Sequence, residues 1–337
     1  DVIRVDLSAL RTGLMTGATG FIGSATARHL VDQGHDLTCV VRNREKAGDL
    51  ADLGVTLVDG DLSDRARLAG QMTGSDAVVH NAALYEVGIP ASRRPALYEA
   101  NVTGTENTLG ACLDTGIPRV LYVSTCAVFG NTHHQVADEN FKRADLDFTS
   151  YYEQTKYEAH QVALEMIENQ GLPCVIAQPA GVYGPGDHSA IASTVHQFID
   201  GKLPMIPFPD FGTGLAHVDD IAAGLVLILD KGEIGECYIL TEANHSMGDI
   251  VGTVARVAGK KAPKRNMPTG LLKMLRPVGP LVGKLMDQPP NLGELISSAD
   301  NVTFWADASK ARNQLGFRPR DLETGMRETI EAEGWLN

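Results

Sequence analysis

Thr16-Gly17-Ala18-Thr19-Gly20-Phe21-Ile22-Gly23 is the stretch whose reading decides the fold of this chain. Apolar Leu14 and Met15 precede it, its glycines fall three residues apart, and Phe21, Ile22, Ala25, Ala27, Leu30 and Val31 continue it with a helical apolar face. The pattern predicts a strand, a tight turn and the start of a helix. Each glycine has its own physical task. Gly17 lets the backbone turn sharply, Gly20 leaves room for a pyrophosphate to come close, and Gly23 lets the helix lie tight on the strand. The unpaired N–H groups and positive end of that helix then face the phosphates. Thr19, Phe21 and Ile22 are expected to complete this nucleotide-binding turn.

Beyond the turn, short β-branched runs alternate with amphipathic ones. Leu37 to Val41, Val55 to Val58, Ala77 to Val79, Val120 to Val123 and Cys174 to Ala177 read as strands, with helical patterns between them. Such alternation implies an α/β fold, a doubly wound Rossmann-type parallel sheet that binds ligands at the carboxyl ends of its strands. Residues 12–177 with 215–240 are expected to form the dinucleotide-binding core, and 178–214 with 241–337 a smaller, mostly helical substrate lobe. Residues 1–11 read as an N-terminal extension. Leu203 to Pro209 and Leu271 to Val278 are rich in Met, Leu and Pro, suited to shaping a cleft or packing the lobe.

A length of 337 residues allows a sizeable core, and a formal net charge of -13 argues against nucleic acid as a partner. The chain lacks both an apolar run of about 18 residues and a charged-then-apolar opening, so a cytoplasmic protein without membrane spans is expected. Five scattered cysteines without a CxxC pair predict reduced thiols rather than zinc or disulfides. The His133-His134 loop reads as solvated, and no metal site is expected there or elsewhere.

An adenosine ribose would lie at the tip of the second strand, about 20 residues after the turn. The sequence there is Val40-Val41-Arg42-Asn43-Arg44, with no carboxylate to accept from a free 2′-hydroxyl. Arg42, helped by Arg44 or Lys46, is suited instead to a 2′-phosphate, so NADP(H) is expected, with NAD(H) as the alternative. Asp61 is placed to accept from the adenine amino group and Leu62 to pack on the ring. Ala82 and Ala83 are small enough for the nicotinamide ribose to lie against the backbone. Asn101, within a helix, needs partners if buried: backbone carbonyls, or a water leading to the reacting groups.

Tyr152 and Lys156 stand four apart in a helical run, hence on one face. A phenol with a reference pKa of about 10 is a poor base at neutral pH, and a nearby ammonium stabilises its phenolate. The pair can therefore move protons to and from a substrate oxygen.

The glycine turn, a Ser124-Thr125 hydroxyl pair after the fifth strand and a Tyr-x-x-x-Lys helix, in that order, resemble the short-chain dehydrogenase/reductase superfamily. Gly184-Pro185-Gly186-Asp187, His217-Val218-Asp219-Asp220 and Leu315-Gly316-Phe317-Arg318-Pro319 look like its extended, epimerase-like branch. The resemblance implies Tyr152 as acid/base and Lys156 as the group that holds the nicotinamide ribose and lowers the phenol's pKa. It selects Thr125, five residues before Gly130, to orient the substrate oxygen. It counts Asn101 among the catalytic group, and sets Pro179 and Val182 beside the nicotinamide with Tyr85 and Ala180 at the substrate. It also implies a homodimer through the Tyr152 helix and its neighbour.

Nucleotide-sugar members of the branch usually carry an Arg at the end of the sixth strand, an Asn three residues on, and an Arg-Asp pair before the Val-Asp-Asp segment. Here those places hold Gln178, Gly181 and Leu215-Ala216. Arg42 with Pro179-Ala180-Gly181-Val182-Tyr183-Gly184-Pro185 looks more like the dihydroflavonol-reductase-like and hydroxysteroid-dehydrogenase-like members. The expected function is an NADP(H)-dependent carbonyl reductase or alcohol dehydrogenase on an apolar substrate. Alternatives are a sugar or nucleotide-sugar epimerase/dehydratase that recycles its cofactor, and a non-catalytic nucleotide sensor, which would have no need of the acid/base pair.

Overall fold

The computed structural model describes residues 12–268, 270 and 291–336. Seven parallel strands form the main sheet: β1 (Thr12–Thr16), β2 (Asp36–Val41), β3 (Thr56–Asp59), β4 (Ala77–His80), β5 (Val120–Val123), β6 (Cys174–Pro179) and β9 (Cys237–Leu240). Their order is β3-β2-β1-β4-β5-β6-β9, so the chain reverses its direction of travel between β1 and β4. A crevice opens at that point, where a doubly wound sheet takes its ligand.

Alternation along the strands makes the two faces. Met15, Cys39, Val79, Leu121 and Val175 point to one side, where they meet Ala27 and Leu30 of α1 (Phe21–Asp32) and Ile221 and Leu225 of α7 (Val218–Lys231). Leu14, Val40, Val78, Tyr122 and Ile176 point to the other. They are covered by α2 (Arg65–Met72), α4 (Gly104–Thr115) and α5 (Tyr151–Gln170), through residues such as Leu68, Leu109 and Ala163. Near-continuous apolar strands are what burial on both faces requires. All five cysteines are free thiols, four of them buried.

The other half of the chain builds a second sheet that the residues did not announce. β8 (Gly212–His217) runs antiparallel to β10 (Ala243–Ser246) and parallel to β7 (Gly181–Tyr183) and β11 (Thr303–Phe304). Gly-Thr-Gly-Leu-Ala-His and Ala-Asn-His-Ser have poor strand propensity, so their pairing comes from tertiary context. Val195 and Phe198 of α6 (Ala190–Ile199), Ile250 and Val254 of α8 (Met247–Val257) and Met326 of the last helix, Leu322–Ala332, form a separate apolar core with Leu215. Ile206, from the Leu203 to Pro209 stretch, is buried in it. The 1–11 extension and the Leu271 to Val278 stretch lie outside the described residues.

The histidine loop is exposed at His133 and His134, as its local polarity suggests, and is also tied to the second sheet. Thr132 is buried, its N–H donates to the Thr303 carbonyl at 2.7 Å, and His134 packs edge-on against Trp305 at 5.1 Å. These contacts tie the loop to β11, 171 residues on from Thr132, while His133 and His134 themselves stay exposed. Among the described residues no helix is long and apolar enough to cross a membrane.

Candidate active site

Helix α5 starts where Ser150 accepts a hydrogen bond from the Glu153 N–H at 3.1 Å, and ends at Gly171 in the left-handed conformation. Those caps set the rotation of the helix, and Tyr152 and Lys156 lie on adjacent turns of one face. Lys156 is 3% exposed, and its ammonium donates to the carbonyl of Val123, the last residue of β5, at 3.3 Å. Burial lowers its pKa to about 8.

The two hydroxyls after β5 part company. Ser124 shares a 2.9 Å hydrogen bond with Nδ1 of His160, one turn beyond Lys156, and is sealed in the core. Thr125 accepts from the Ala127 N–H at 3.2 Å and acts on the phenol of Tyr152. Burial pushes that phenol above its ordinary value, Tyr85 and Tyr122 add to the effect, and the hydrogen bond from Thr125 opposes it. Burial is the largest of these influences, and the Lys156 ammonium is directed at Val123.

Tyr85 meets Tyr152 from outside. Its ring stands edge-on to Tyr152, with centroids 4.8 Å apart and an interplanar angle of 81°, while 64% of the residue remains exposed. The preceding residue is clamped: Asn101 accepts from the Leu84 N–H at 2.7 Å and donates to the Leu84 carbonyl at 3.0 Å. Asn101 also donates to Thr155 at 3.0 Å, and Thr155 bonds the Tyr152 carbonyl at 2.9 Å. Of the partners left open for Asn101, the structure supplies backbone and Thr155. The side chain sits in a π-turn, Glu99–Thr103, and links the Tyr85 loop to α5.

Two buried histidines frame this cluster, and their polarity makes an acid-stability prediction. His80 is bonded to Thr16 at 2.8 Å and to Thr105 at 3.0 Å. Burial, with Lys156 adding, holds His80 down at about 3 and His160 at about 4. An unfolded histidine takes its proton below pH of about 6.5, so in this window the unfolded chain binds more protons and stability falls as pH drops. The loss is expected to approach about 1.4 kcal/mol per pH unit for each histidine. Denaturant melts at pH 7 and pH 4.5 check this, and His160→Gln should flatten the fall. Equal slopes for the two proteins would contradict it.

At the nucleotide end, Gly17 has φ +77°, and a Cβ there would lie 2.5 Å from the Ala82 nitrogen. A Cβ on Gly23 would lie 1.9 Å from the Gly17 carbonyl oxygen, so turn, helix and β4 are in contact through bare backbone. Gly20 is different: its Cβ would meet only that same oxygen, at 3.4 Å. Helix α1 has no side-chain cap, and its first turn faces this open side. Thr19 and Gly20 are exposed, while Phe21 and Val182 are half-buried around a cluster of Ala25, Val218 and Ala222.

Arg42 is exposed at the tip of β2 and acts electrostatically on Asp61, whose carboxylate accepts from the Ser63 N–H at 2.9 Å. Arg44 is engaged by Asp59 at 3.0 Å. Leu62 is half-buried against Gly104, Ala82 and Ala83 line the end of β4, and Pro179 is buried at the end of β6 with Ala180 half-buried beside it. An uncapped helix behind a glycine cradle, followed by small residues, fits a dinucleotide.

His160 escaped the sequence reading, and Ser124 was read only as the other half of the hydroxyl pair. The signal was present in the four-residue spacing of Tyr152, Lys156 and His160, which puts all three on one face.

The model of the NAD dependent epimerase/dehydratase family matches residues 13–240. A Synechocystis sp. protein with the provisional name dihydroflavonol 4-reductase is 31% identical over 94% of this chain and 92% of its own length. A dTDP-glucose 4,6-dehydratase of Streptomyces antibioticus is 30% identical over 94% and 91%. The crystal structure of gox2253 superposes with a TM-score of 0.81 at 30% identity, covering 97% of this chain and 99% of that one.

Proposed function

Because the chain belongs to the NAD dependent epimerase/dehydratase family, a family of NAD(P)-dependent enzymes, we propose that it is an NADP(H)-dependent carbonyl reductase or alcohol dehydrogenase acting on an apolar substrate. The supporting observation is the grouping of Tyr152, Thr125 and the buried Lys156, with no cation at the positions where sugar-nucleotide members carry arginine. Gln178, Leu215 and Ala216 are at most 1% exposed. A side chain at Gly181 would come within 2.8 Å of Leu215. None offers a charge-assisted bond to a diphosphate.

The glycine turn, Asp61, Leu62, Ala82, Ala83, Pro179 and Val182 would hold the cofactor, with Arg42 on its 2′-phosphate and Lys156 on the nicotinamide ribose. The nicotinamide, when bound, supplies or accepts the hydride. Thr125 holds the substrate oxygen near Tyr152, and Tyr85 and Ala180 wall the apolar remainder. A phenol kept protonated by burial is in the right form to give its proton to the oxygen of a carbonyl under reduction. A homodimer through α5 and its neighbour belongs to the same proposal.

The dehydratase relative favours a second reading, in which the same residues serve a sugar nucleotide and the cofactor is recycled. Loss of reduced-nicotinamide absorbance with ketones and aldehydes, run beside nucleotide-sugars, separates the two. Stoichiometric loss with a carbonyl compound is expected, and a converted sugar without net loss would refute the reductase. Arg42→Asp is expected to weaken NADPH about tenfold or more while sparing NADH, since a charge-assisted phosphate bond is removed. Equal losses in a fluorescence titration would contradict the 2′-phosphate assignment.

A further inference from the structure

The helix α9 (Leu292–Ser297) and its cap bond two segments, the loop after Tyr85 at Gly88 and the start of α5 at Tyr151. Asn291, its N-cap, donates from its backbone to the Gly88 carbonyl at 3.0 Å and so holds the loop that carries Tyr85. Glu294, 8% exposed, accepts at Oε1 from the N–H of Tyr151 at 2.8 Å, the first residue of α5. Its Oε2 accepts from the Asn291 side chain at 3.1 Å and lies 3.9 Å from the Arg94 guanidinium, which itself stacks 4.9 Å over the Tyr151 ring. Ser297 adds a bond to the Thr149 carbonyl at 2.9 Å.

A carboxylate so buried persists only with partners, and here they belong to both walls of the site. The first N–H groups of a helix have none within it, and a negative charge there also suits the helix dipole. Ser150 satisfies the Glu153 N–H, and Glu294 satisfies that of Tyr151, the residue immediately before the phenol. A shift of this first turn would move Tyr152 relative to Thr125, which is fixed separately at the end of β5.

We propose that Glu294 is a positioning residue through which the C-terminal segment sets Tyr152 against Thr125 and Tyr85. The inference rests on the reading of Tyr152 as the acid/base. The test uses the full chain with NADPH and compares Glu294→Ala with Glu294→Gln, which keeps an acceptor oxygen. Amide exchange of the 149–157 segment and steady-state kinetics with a ketone reduced by the parent protein are the two readouts.

Glu294→Ala is expected to speed exchange at Tyr151 and Tyr152 about tenfold. It should lower kcat about tenfold, with KM and NADPH affinity within about twofold. Glu294→Gln should stay within about threefold of the parent in both readouts. Unchanged exchange and kcat in Glu294→Ala, or equal losses in both variants, would overturn the proposal. Should Glu294→Ala fail to fold, Glu294→Asp keeps the charge and loses the reach: lowered kcat at an unchanged Tm supports the role, and unchanged kcat overturns it. If no carbonyl compound is turned over, the reductase reading fails on its own and the exchange result alone decides for or against Glu294.

Discussion

Tyr152→Phe is expected to lower turnover about 10³-fold while leaving NADPH affinity within about twofold. The substitution removes one oxygen and keeps the ring that packs edge-on with Tyr85 at 4.8 Å. The fold and the nucleotide cradle therefore persist, and only the proton donor is lost. Thr125 remains tied to the Ala127 N–H and can still hold a substrate oxygen, so KM should move little. Single-turnover and steady-state rates beside a cofactor titration check this. A variant that keeps most of its turnover would deny Tyr152 its proton role, and one that loses NADPH equally would make its role structural.

Gly20→Val is expected to abolish cofactor binding by at least about 100-fold and to leave the fold intact, a loss near 2.7 kcal/mol by the usual conversion. Gly20 has φ -80° and ψ 169°, an extended conformation that valine adopts freely. Its Cβ would find only the Gly17 carbonyl oxygen, at 3.4 Å, so the new methyls project into the open side of the turn. Gly17 and Gly23 make the contrast. The same change at Gly17 meets φ +77° and the Ala82 nitrogen at 2.5 Å, and at Gly23 the Gly17 oxygen at 1.9 Å. Those two should lower Tm, whereas Gly20→Val should not. Unchanged NADPH titration by Gly20→Val would mean that the phosphates lie elsewhere.

What the residues announced and what they hid follow from range. The glycine turn and the Tyr152 helix carry local signals: glycine spacing, a serine cap and an apolar period. β5 begins and ends where its β-branched run does, at Val120 and Val123. The second sheet was hidden because β8 is half small residues and pairs with strands 28 to 91 residues away, as Leu215 with Ala243 and Gly212 with Thr303. Arg119 looks like a surface arginine, yet it is buried and bonds the carbonyls of Ile228, Leu229 and Gly232 at the end of α7. Asn101 was ambiguous for the opposite reason. Its need for partners was legible, but Leu84 and Thr155 were named only by the packing of three elements. Glu294 gave no local sign at all, since its partner Tyr151 is 143 residues distant.

The measurement that bears most directly on the proposed chemistry follows a label. The protein is incubated with NADPH deuterated at nicotinamide C4 and a ketone from the panel, and the alcohol is analysed for deuterium against NADPH consumed. One deuterium on the carbinol carbon per NADPH lost is the predicted result, with Tyr152→Phe giving neither. Product without label and without NADPH loss would contradict the reductase and leave the cofactor as an internally recycled group.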